Sequence, residues 1–240
     1  MTPANKNLEQ TLLTRLEHAL IVSCQPVTNG PMDKVEHVVA MALAALAGGA
    51  RGLRIEGVEN VRAMAAVTDA PIIGIVKKDM PNSAVRISPR VEDIVALAEA
   101  GATIIAFDAT DRPRPTPSAE LLNALHQHGC IGMADCATYE EGKTMAALGC
   151  TFIGSTMSGY TDEGDTPIGP DLELIERWYA QGFKVIAEGR YNSPERAAQA
   201  IEVGALAVAV GSAITRVEHI AGWFADSIGN AAVKKPEGRT

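Results

Sequence analysis

The sequence predicts an α/β fold, a single (β/α)8 TIM barrel with a short N-terminal helix. Eight short aliphatic runs alternate with longer amphipathic segments, which is the pattern of parallel strands joined by crossover helices. The length of 240 residues suits such a barrel, for which about 250 residues is typical. No GxGxxG motif follows the first run, which argues against an open dinucleotide-binding sheet.

The predicted strands are rich in Ala, Val, Ile and Leu, as expected where parallel strands are buried on both faces. Aromatic residues make up 4% of the chain, so the core is expected to be aliphatic. The strands are placed at 19–25, 52–57, 71–77, 103–110, 130–136, 151–157, 184–190 and 205–211.

Capping residues predict where three of the helices begin. Ser88 is expected to cap a helix over 89–100, with Pro89 in its first position. Thr138 and Glu141 have the spacing of a capping box, and Ser193 precedes a third helix. Glycines are expected to end helices at Gly48/Gly49, Gly101, Gly149 and Gly204.

The chain is expected to form one catalytic domain over 1–230, followed by a polar, disordered tail over 231–240. A leading helix over 8–18 is expected to cover the bottom of the barrel. The apolar segment HIAGWFADSI (219–228) has two interpretations. The preferred one is an eighth helix packed on its own barrel, and the other is a docking face for a second copy.

Composition limits the classes of partner. The net charge of −8 argues against a general nucleic-acid binder, because neutralising phosphates needs a basic surface. No apolar run approaches the roughly 18 residues of a membrane span, and the polar N-terminus does not resemble a signal peptide. The four cysteines lack CxxC spacing, so no metal cluster is expected. A cytoplasmic location is the default expectation.

Charged residues close several of the apolar strands. A single Lys or Asp after a strand is usually a solvated loop residue or a helix cap. Here Lys77, Asp108, Asp135 and Glu188 all follow strongly apolar runs, and in a barrel all would face the same mouth. Because burying unpaired charges is costly, a convergent set that can pair internally indicates an acid–base site.

Small residues after the last two strands predict a phosphate site. The loop after strand seven contains Gly189 and Arg190, and strand eight ends at Gly211 and Ser212. Barrel enzymes often bind phosphate between these two loops, through backbone N–H groups that small residues leave accessible. Arg216 lies just beyond and could add a bidentate contact, although from spacing alone it could equally be a surface residue.

The chain resembles the bacterial N-acylglucosamine-6-phosphate (N-acetylmannosamine-6-phosphate) 2-epimerases of sialic acid breakdown. The resemblance covers almost the whole chain, and the SGYT and DATxRxRP stretches are its most specific parts. Its matching stretches are LIVSCQ (20–25), PIIGIVK (71–77), FDATDRPRP (107–115), MADCAT (133–138), STMSGYT (155–161), IAEGR (186–190) and VGSAITR (210–216).

The resemblance implies an enzyme that inverts C2 of a sugar phosphate without cofactor or metal, and it implies a homodimer. Lys77 matches the catalytic lysine and Glu188 the glutamate of the EGR motif. Substrate contacts are expected from Gln25, Arg54, Asp135, Thr156 and Tyr160, and phosphate contacts from Gly189, Arg190, Gly211, Ser212 and Arg216. The chain departs from the family at Glu56, in the acidic stretch 161–167 and at Val217, none of which bears on the expected chemistry.

The residue types suit this reaction. C2 lies beside the C1 aldehyde of the open-chain sugar, so its proton can be removed if the enolate oxygen is stabilised. Lys77 can act as the base only if burial or a nearby cation such as Arg54 lowers its pKa. Glu188 could orient Lys77, open the sugar ring or act as a second acid–base group, and Arg54 could stabilise the oxyanion.

Two other functions fit the same residues. A Schiff-base aldolase would also use a lysine at a strand end, and borohydride would then trap substrate on Lys77. A sugar-phosphate sensor would bind without turnover, but it has no need of both Lys77 and Glu188.

Overall fold

The computed structural model describes residues 3–161 and 166–233, and the acidic segment 162–165 therefore lies outside it. Eight parallel strands close into a barrel in the order of the sequence, with the first strand paired to both the second and the last. The predicted (β/α)8 fold is therefore confirmed. The strands are Ala19–Cys24 (β1), Gly52–Glu56 (β2), Ile72–Ile75 (β3), Ile104–Asp108 (β4), Ile131–Asp135 (β5), Phe152–Gly154 (β6), Lys184–Glu188 (β7) and Ala207–Val210 (β8).

Helices follow every strand, and each predicted strand run contains an observed strand. None of the helices in the described residues is long and apolar enough to cross a membrane. The helices are Pro3–Leu16 (α1), Val35–Ala47 (α2), Val58–Ala65 (α3), Val91–Glu99 (α4), Ser118–Gln127 (α5), Tyr139–Ala147 (α6), Leu172–Tyr179 (α7), Pro194–Glu202 (α8), Ser212–Thr215 (α9) and Val217–Val233 (α10).

Helix α1 closes the bottom of the barrel, as expected, although it begins five residues before the predicted segment. Its Leu12 and Leu16 are buried and join the cluster of side chains that fills the barrel interior, which includes Ile21, Ile73 and Ile104. A second apolar layer lies between the strands and the surrounding helices. Both layers are mostly aliphatic, and the buried charged residues Arg54 and Asp135 lie towards the carboxyl ends of β2 and β5.

The helix caps agree with the sequence at two predicted positions and differ at one. Thr138 caps α6, with its hydroxyl accepting from the Glu141 N–H at 3.3 Å while the Glu141 carboxylate accepts from the Thr138 N–H at 2.9 Å. Ser193 caps α8. Ser88 was the wrong choice for α4, because this helix begins at Val91 and the Arg90 N–H donates to the Asp93 carboxylate at 3.1 Å. Ser88 lies in the preceding loop.

Helix α10 does not pack flat on its own barrel, so the preferred interpretation of 219–228 is wrong. It packs against α9, and its apolar side chains are exposed. Phe224 and Ile228 are each 68% exposed, and Trp223 is 40% exposed. The helix also includes the first three residues of the predicted tail, while residues 234–240 lie outside the described part of the chain.

Candidate active site

A cavity of about 200 Å³ opens at the carboxyl ends of the strands. Because side chains alternate along a strand, every second residue points into the barrel, and the last inward residue of each strand reaches this mouth. Arg54 and Asp135 do not line the cavity and lie fully buried beneath it. Ten predicted site residues line the cavity: Gln25, Lys77, Thr156, Tyr160, Glu188, Gly189, Arg190, Gly211, Ser212 and Arg216.

A buried ion network forms the floor of the mouth. The Arg54 guanidinium of β2 donates to both carboxylate oxygens of Asp135 on β5, at 3.2 and 2.6 Å. It also lies 3.0 Å from the Glu188 carboxylate of β7. Arg54 is 1% exposed, so these charges compensate one another in a poorly solvated interior. One cation thus fixes two carboxylates from different strands.

Residues after β6 complete the network. The Thr156 hydroxyl lies 2.6 Å from an Asp135 carboxylate oxygen and 3.4 Å from a Glu188 carboxylate oxygen, between the two anions. The Ser155 hydroxyl donates to the Glu188 carbonyl at 2.9 Å and accepts from the Glu188 N–H at 3.0 Å. Both the backbone and the side chain of Glu188 are therefore held in place.

Lys77 follows β3, and its side chain lines the cavity while remaining open to solvent at the mouth. Desolvation by the cavity wall lowers the pKa of Lys77, and the positive charges of Arg54 and Arg216 lower it further. Glu56 and Glu188 oppose this shift. A lysine with a lowered pKa holds more of its neutral form near pH 7, which is the form that can accept a proton.

The environment shifts Glu188 in the other direction. Burial raises its pKa, and the nearby Asp135 carboxylate acts in the same sense, while Arg54, Lys77 and the Thr156 hydroxyl oppose the shift. Lys77 and Glu188 are therefore closer in acidity than free lysine and glutamate. Two groups shifted toward each other in one cavity are suited to exchanging protons with a bound molecule.

The predicted phosphate end lies across the mouth, where α9 begins. Gly211 caps α9, and its Cα packs against Ser23, since a Cβ there would lie 3.3 Å from the Ser23 Cβ. The Arg216 Nε–H donates to the Gln25 carbonyl at 2.8 Å, and the Thr215 hydroxyl donates to the Ser23 carbonyl at 2.8 Å. These bonds join the end of β1 to the residues that follow β8, and they place the Arg216 guanidinium at the cavity.

Arg190 lines the cavity, but two of its donors are engaged elsewhere. Its Nε–H donates to the Gly169 carbonyl and its Nη1–H to the Ser158 carbonyl, each at 2.6 Å. Its guanidinium also lies over the ring of Tyr160, 5.1 Å from the centroid. Arg190 therefore ties together both ends of the loop between β6 and α7, and its role as a phosphate ligand remains a prediction.

Asp108, expected at the same mouth, does not line the cavity. It is fully buried, and its carboxylate accepts from the Thr110 hydroxyl at 2.6 Å and from Arg112 at 2.7 Å. Arg114 donates to the Asp108 carbonyl and to the Ser118 hydroxyl. Asp108 and both arginines of the FDATDRPRP stretch are thus held in a local network of hydrogen bonds at the end of β4.

Four further residues line the cavity that were not singled out as site residues from the sequence. Tyr191 and Asn192 directly follow the EGR motif. Their position in the loop after β7 was the signal from which the sequence could have identified them. Ser23 is the next-to-last residue of β1, and Val210 is the last residue of β8. The cavity therefore has a mixed wall, with an aromatic ring and an aliphatic side chain beside its charged groups.

This arrangement suits proton transfer at carbon. It combines a lysine of lowered pKa and a carboxyl group of raised pKa in one recess, above a buried ion pair of Arg54 with Asp135. Within residues 3–161 and 166–233, no cluster of three or more His, Cys, Asp or Glu side chains is arranged to hold a metal ion.

Comparisons with known proteins point to one family. The family model described as "Putative N-acetylmannosamine-6-phosphate epimerase" matches residues 38–230. A protein of Pasteurella multocida named "Putative N-acetylmannosamine-6-phosphate 2-epimerase" is 56% identical over 220 residues, covering 92% of this chain and 96% of that protein.

A solved structure agrees with the sequence matches. The N-acetylmannosamine-6-phosphate 2-epimerase from Clostridium perfringens is 36% identical and superposes with a TM-score of 0.87, covering 90% of this chain and 96% of that one. A thiamine phosphate pyrophosphorylase from Pyrococcus furiosus, 20% identical with a TM-score of 0.58, shares the fold alone. The chain belongs to the N-acetylmannosamine-6-phosphate epimerase family.

Proposed function

We propose that this enzyme converts N-acetyl-D-mannosamine 6-phosphate to N-acetyl-D-glucosamine 6-phosphate by inverting C2, in amino-sugar breakdown. The observation that carries the proposal is the shared cavity of Lys77 and Glu188, whose pKa values are shifted toward each other. Membership of the family supplies the substrate. The chemistry requires neither a cofactor nor a metal, because the C1 aldehyde itself acidifies the C2 proton.

In this proposal the substrate phosphate binds at Gly189, Gly211, Ser212 and Arg216. The start of α9 and the Arg216 cation supply N–H donors and positive charge on one side of the cavity. With the phosphate fixed there, the sugar extends across the mouth towards Lys77. Gln25, Thr156 and Tyr160 line the space between and supply polar contacts for the hydroxyl and acetamido groups.

Lys77 removes the C2 proton, and a proton then returns to the opposite face of the planar enolate. Arg54 assists from beneath the cavity, because its charge lowers the pKa of Lys77 and its hydrogen bonds hold Glu188. Because Arg54 does not line the cavity, we assign it no direct contact with the enolate oxygen. Glu188 is the better placed group for a second proton transfer or for opening the ring.

The decisive experiment follows the C2 hydrogen during turnover in D₂O. Deprotonation predicts deuterium at C2 of the product by NMR, and a primary isotope effect when the substrate carries deuterium at C2. A base shielded from solvent could return the same hydrogen to C2, and no deuterium would then enter the product. The isotope effect detects the deprotonation in that case as well. Turnover with neither deuterium incorporation nor an isotope effect contradicts the proposal.

The lowered pKa of Lys77 would also suit a Schiff-base aldolase. Borohydride added during turnover distinguishes the two mechanisms. The epimerase stays active and gains no mass, whereas an aldolase is trapped as a sugar adduct on Lys77. Mass spectrometry of the peptide that contains Lys77 reports the outcome.

We further propose that the enzyme is a homodimer that buries the apolar stripe of α10. Ile220, Phe224 and Ile228 are spaced by four residues and lie on one side of this helix. Such a stripe is costly to leave in water.

All four cysteines are free and buried, which is compatible with a reducing cytoplasm.

A further inference from the structure

Lys77 does not stand on a regular barrel strand. The pairing between β3 and β4 runs from Ile73 with Ile104 to Gly74 with Ile105. Beyond β3 the chain turns back on itself and forms an antiparallel finger, residues 76–88, in which Lys77 pairs with Ile87. The orientation of Lys77 therefore depends on the returning half of this finger.

Ser88 closes the base of the finger with two hydrogen bonds. Its N–H donates to the Val76 carbonyl at 2.8 Å, and its hydroxyl accepts from the Val76 N–H at 3.3 Å. Ser88 is fully buried and has a φ of 41°, a left-handed conformation that a residue with a Cβ seldom adopts. The surrounding contacts hold Ser88 there, and both polar groups of the Val76 backbone bond to it.

The finger is also fixed to β4 and to the loop that follows β4. The Asp108 N–H donates to the Ile87 carbonyl at 2.9 Å, so the returning chain lies between Lys77 and the end of β4. At the tip, the Ser83 hydroxyl donates to the Pro113 carbonyl at 2.6 Å. The bond from Asp108 adjoins the Lys77–Ile87 pair and supports the segment that carries Lys77, whereas the bond from Ser83 lies at the exposed tip, away from Lys77.

Neighbouring lysines on the finger point in different directions. The Lys78 ammonium forms an ion pair with Asp93 in the first turn of α4, whereas Lys77 lines the cavity. This divergence follows from the alternation of side chains along an extended chain, and it requires the backbone at Val76, whose N–H and C=O both bond to Ser88, to keep its orientation. A rotation about Val76 would turn the Lys77 amine away from the mouth.

We propose that Ser88 is a positioning residue for the reaction, which holds the Val76–Lys77 backbone so that the Lys77 amine reaches C2 of the substrate. This inference rests on the proposed function, because it assigns a task to the residue behind the proposed base. Ser88 acts through Lys77 and does not touch the substrate. Without its hydroxyl the buried Val76 N–H has lost its acceptor, and the finger base relaxes.

The test compares Ser88→Ala and Ser88→Gly with the wild-type enzyme in steady-state epimerisation. Both variants lack the hydroxyl. Glycine adopts a φ of 41° without strain, so the Ser88→Gly enzyme still provides the test if the Ser88→Ala enzyme misfolds. Both are expected to lower kcat by about 10- to 100-fold, since misplacing a catalytic group by about 1 Å has an effect of this size. KM is expected to change less than threefold by this reasoning, because the phosphate end is intact.

A pH profile separates positioning from a general loss of structure. When the finger relaxes, Lys77 leaves the cavity wall, whose desolvation is the main cause of its lowered pKa, and the cations Arg54 and Arg216, so the acidic limb of kcat/KM shifts to higher pH. A loss of folded enzyme lowers kcat/KM by the same factor at every pH and does not shift the acidic limb. The charged groups that act on Lys77 are Arg54, Arg216, Glu56 and Glu188.

Ser83→Ala is the matched control, because it removes a hydroxyl from the tip of the same finger. It is expected to keep kcat and the pH profile of the wild type. Wild-type kcat in a folded Ser88→Gly enzyme, or an equal loss in Ser83→Ala, overturns the positioning role. Failure of the wild-type enzyme to epimerise the substrate instead overturns the proposed function.

Discussion

Adjacent lysines in this chain have different tasks. Lys77 lines the cavity, and Lys78 pairs with Asp93 at the start of α4. Lys77→Ala is expected to lower kcat on the order of 10³-fold or more, because it removes the proposed base. Inorganic phosphate should still bind this variant in calorimetry, since the phosphate end is unchanged.

Lys78→Ala is the control for that substitution. The Lys78 side chain is 46% exposed but that of its partner Asp93 is only 3% exposed, so the substitution should cost on the order of 1–3 kcal/mol of stability and leave kcat per folded molecule unchanged. A Lys77→Ala enzyme near the wild-type rate, or equal losses in both variants, would contradict the assignment of Lys77.

The pH dependence of the reaction tests the electrostatic role of Arg216. Neutral Lys77 is the active form, so the rate rises as pH increases through the pKa of Lys77, which Arg216 helps to lower. Arg216→Met should raise that pKa and shift the acidic limb of kcat/KM to higher pH, while KM rises through the weakened phosphate site. Arg62→Met, on the exposed side of α3, should leave both unchanged.

At the scale of single elements, the capping box of α6 gives a direct stability test. Thr138→Ala removes the hydroxyl that accepts from the Glu141 N–H, and it should cost about 1 kcal/mol of unfolding free energy. This corresponds to a fall in Tm of about 2–4 °C for a chain of this size. Activity per folded molecule should not change, because α6 lies outside the cavity lining.

Thr144→Ala is the matched change within the same helix. The Thr144 hydroxyl is exposed and donates to the Glu140 carbonyl one turn earlier. Because alanine favours the helix more than threonine does, this variant should be as stable as the wild type or slightly more so. Equal destabilisation in both variants would show that the cap has no special role.

Elements were predictable from sequence where one local rule decides them. The aliphatic runs gave all eight strands, and the spacing of Thr138 and Glu141 gave a true capping box. Ser88 followed the same local rule and failed, because a tertiary contact with Val76 competes for its hydroxyl. Arg54 does not line the cavity because Asp135, a partner 81 residues away in sequence, binds its guanidinium. The Asp108 carboxylate is bound instead by Thr110 and Arg112 of its own loop.

At the scale of the whole molecule, the exposed face of α10 predicts self-association. Phe224→Asp and Ile228→Asp each place a charge on the apolar stripe, and each should shift the mass measured by light scattering from dimer towards monomer. Glu218→Lys changes a charge at the start of the same helix and should leave the mass unchanged. A wild-type protein that is monomeric at micromolar concentration would contradict the proposed dimer.

Sequence alone did not decide what α10 contacts. An apolar helical stripe has the same pattern whether it packs on its own barrel or on a second copy. Which of the two occurs depends on the direction in which the chain leaves α9 at Arg216. Tertiary contacts set that direction, such as the hydrogen bond from Arg216 to the Gln25 carbonyl.

The seam between β1 and β8 has a consequence for the order of biosynthesis. Thr215 and Arg216 bond to the carbonyls of Ser23 and Gln25, which are synthesised about 190 residues earlier. A nascent chain on the ribosome therefore holds β1 with one unpaired edge until β8 emerges. The proposed phosphate end is absent from every N-terminal fragment that stops before Gly211, so we expect such a translation product to be inactive however well its first strands have folded.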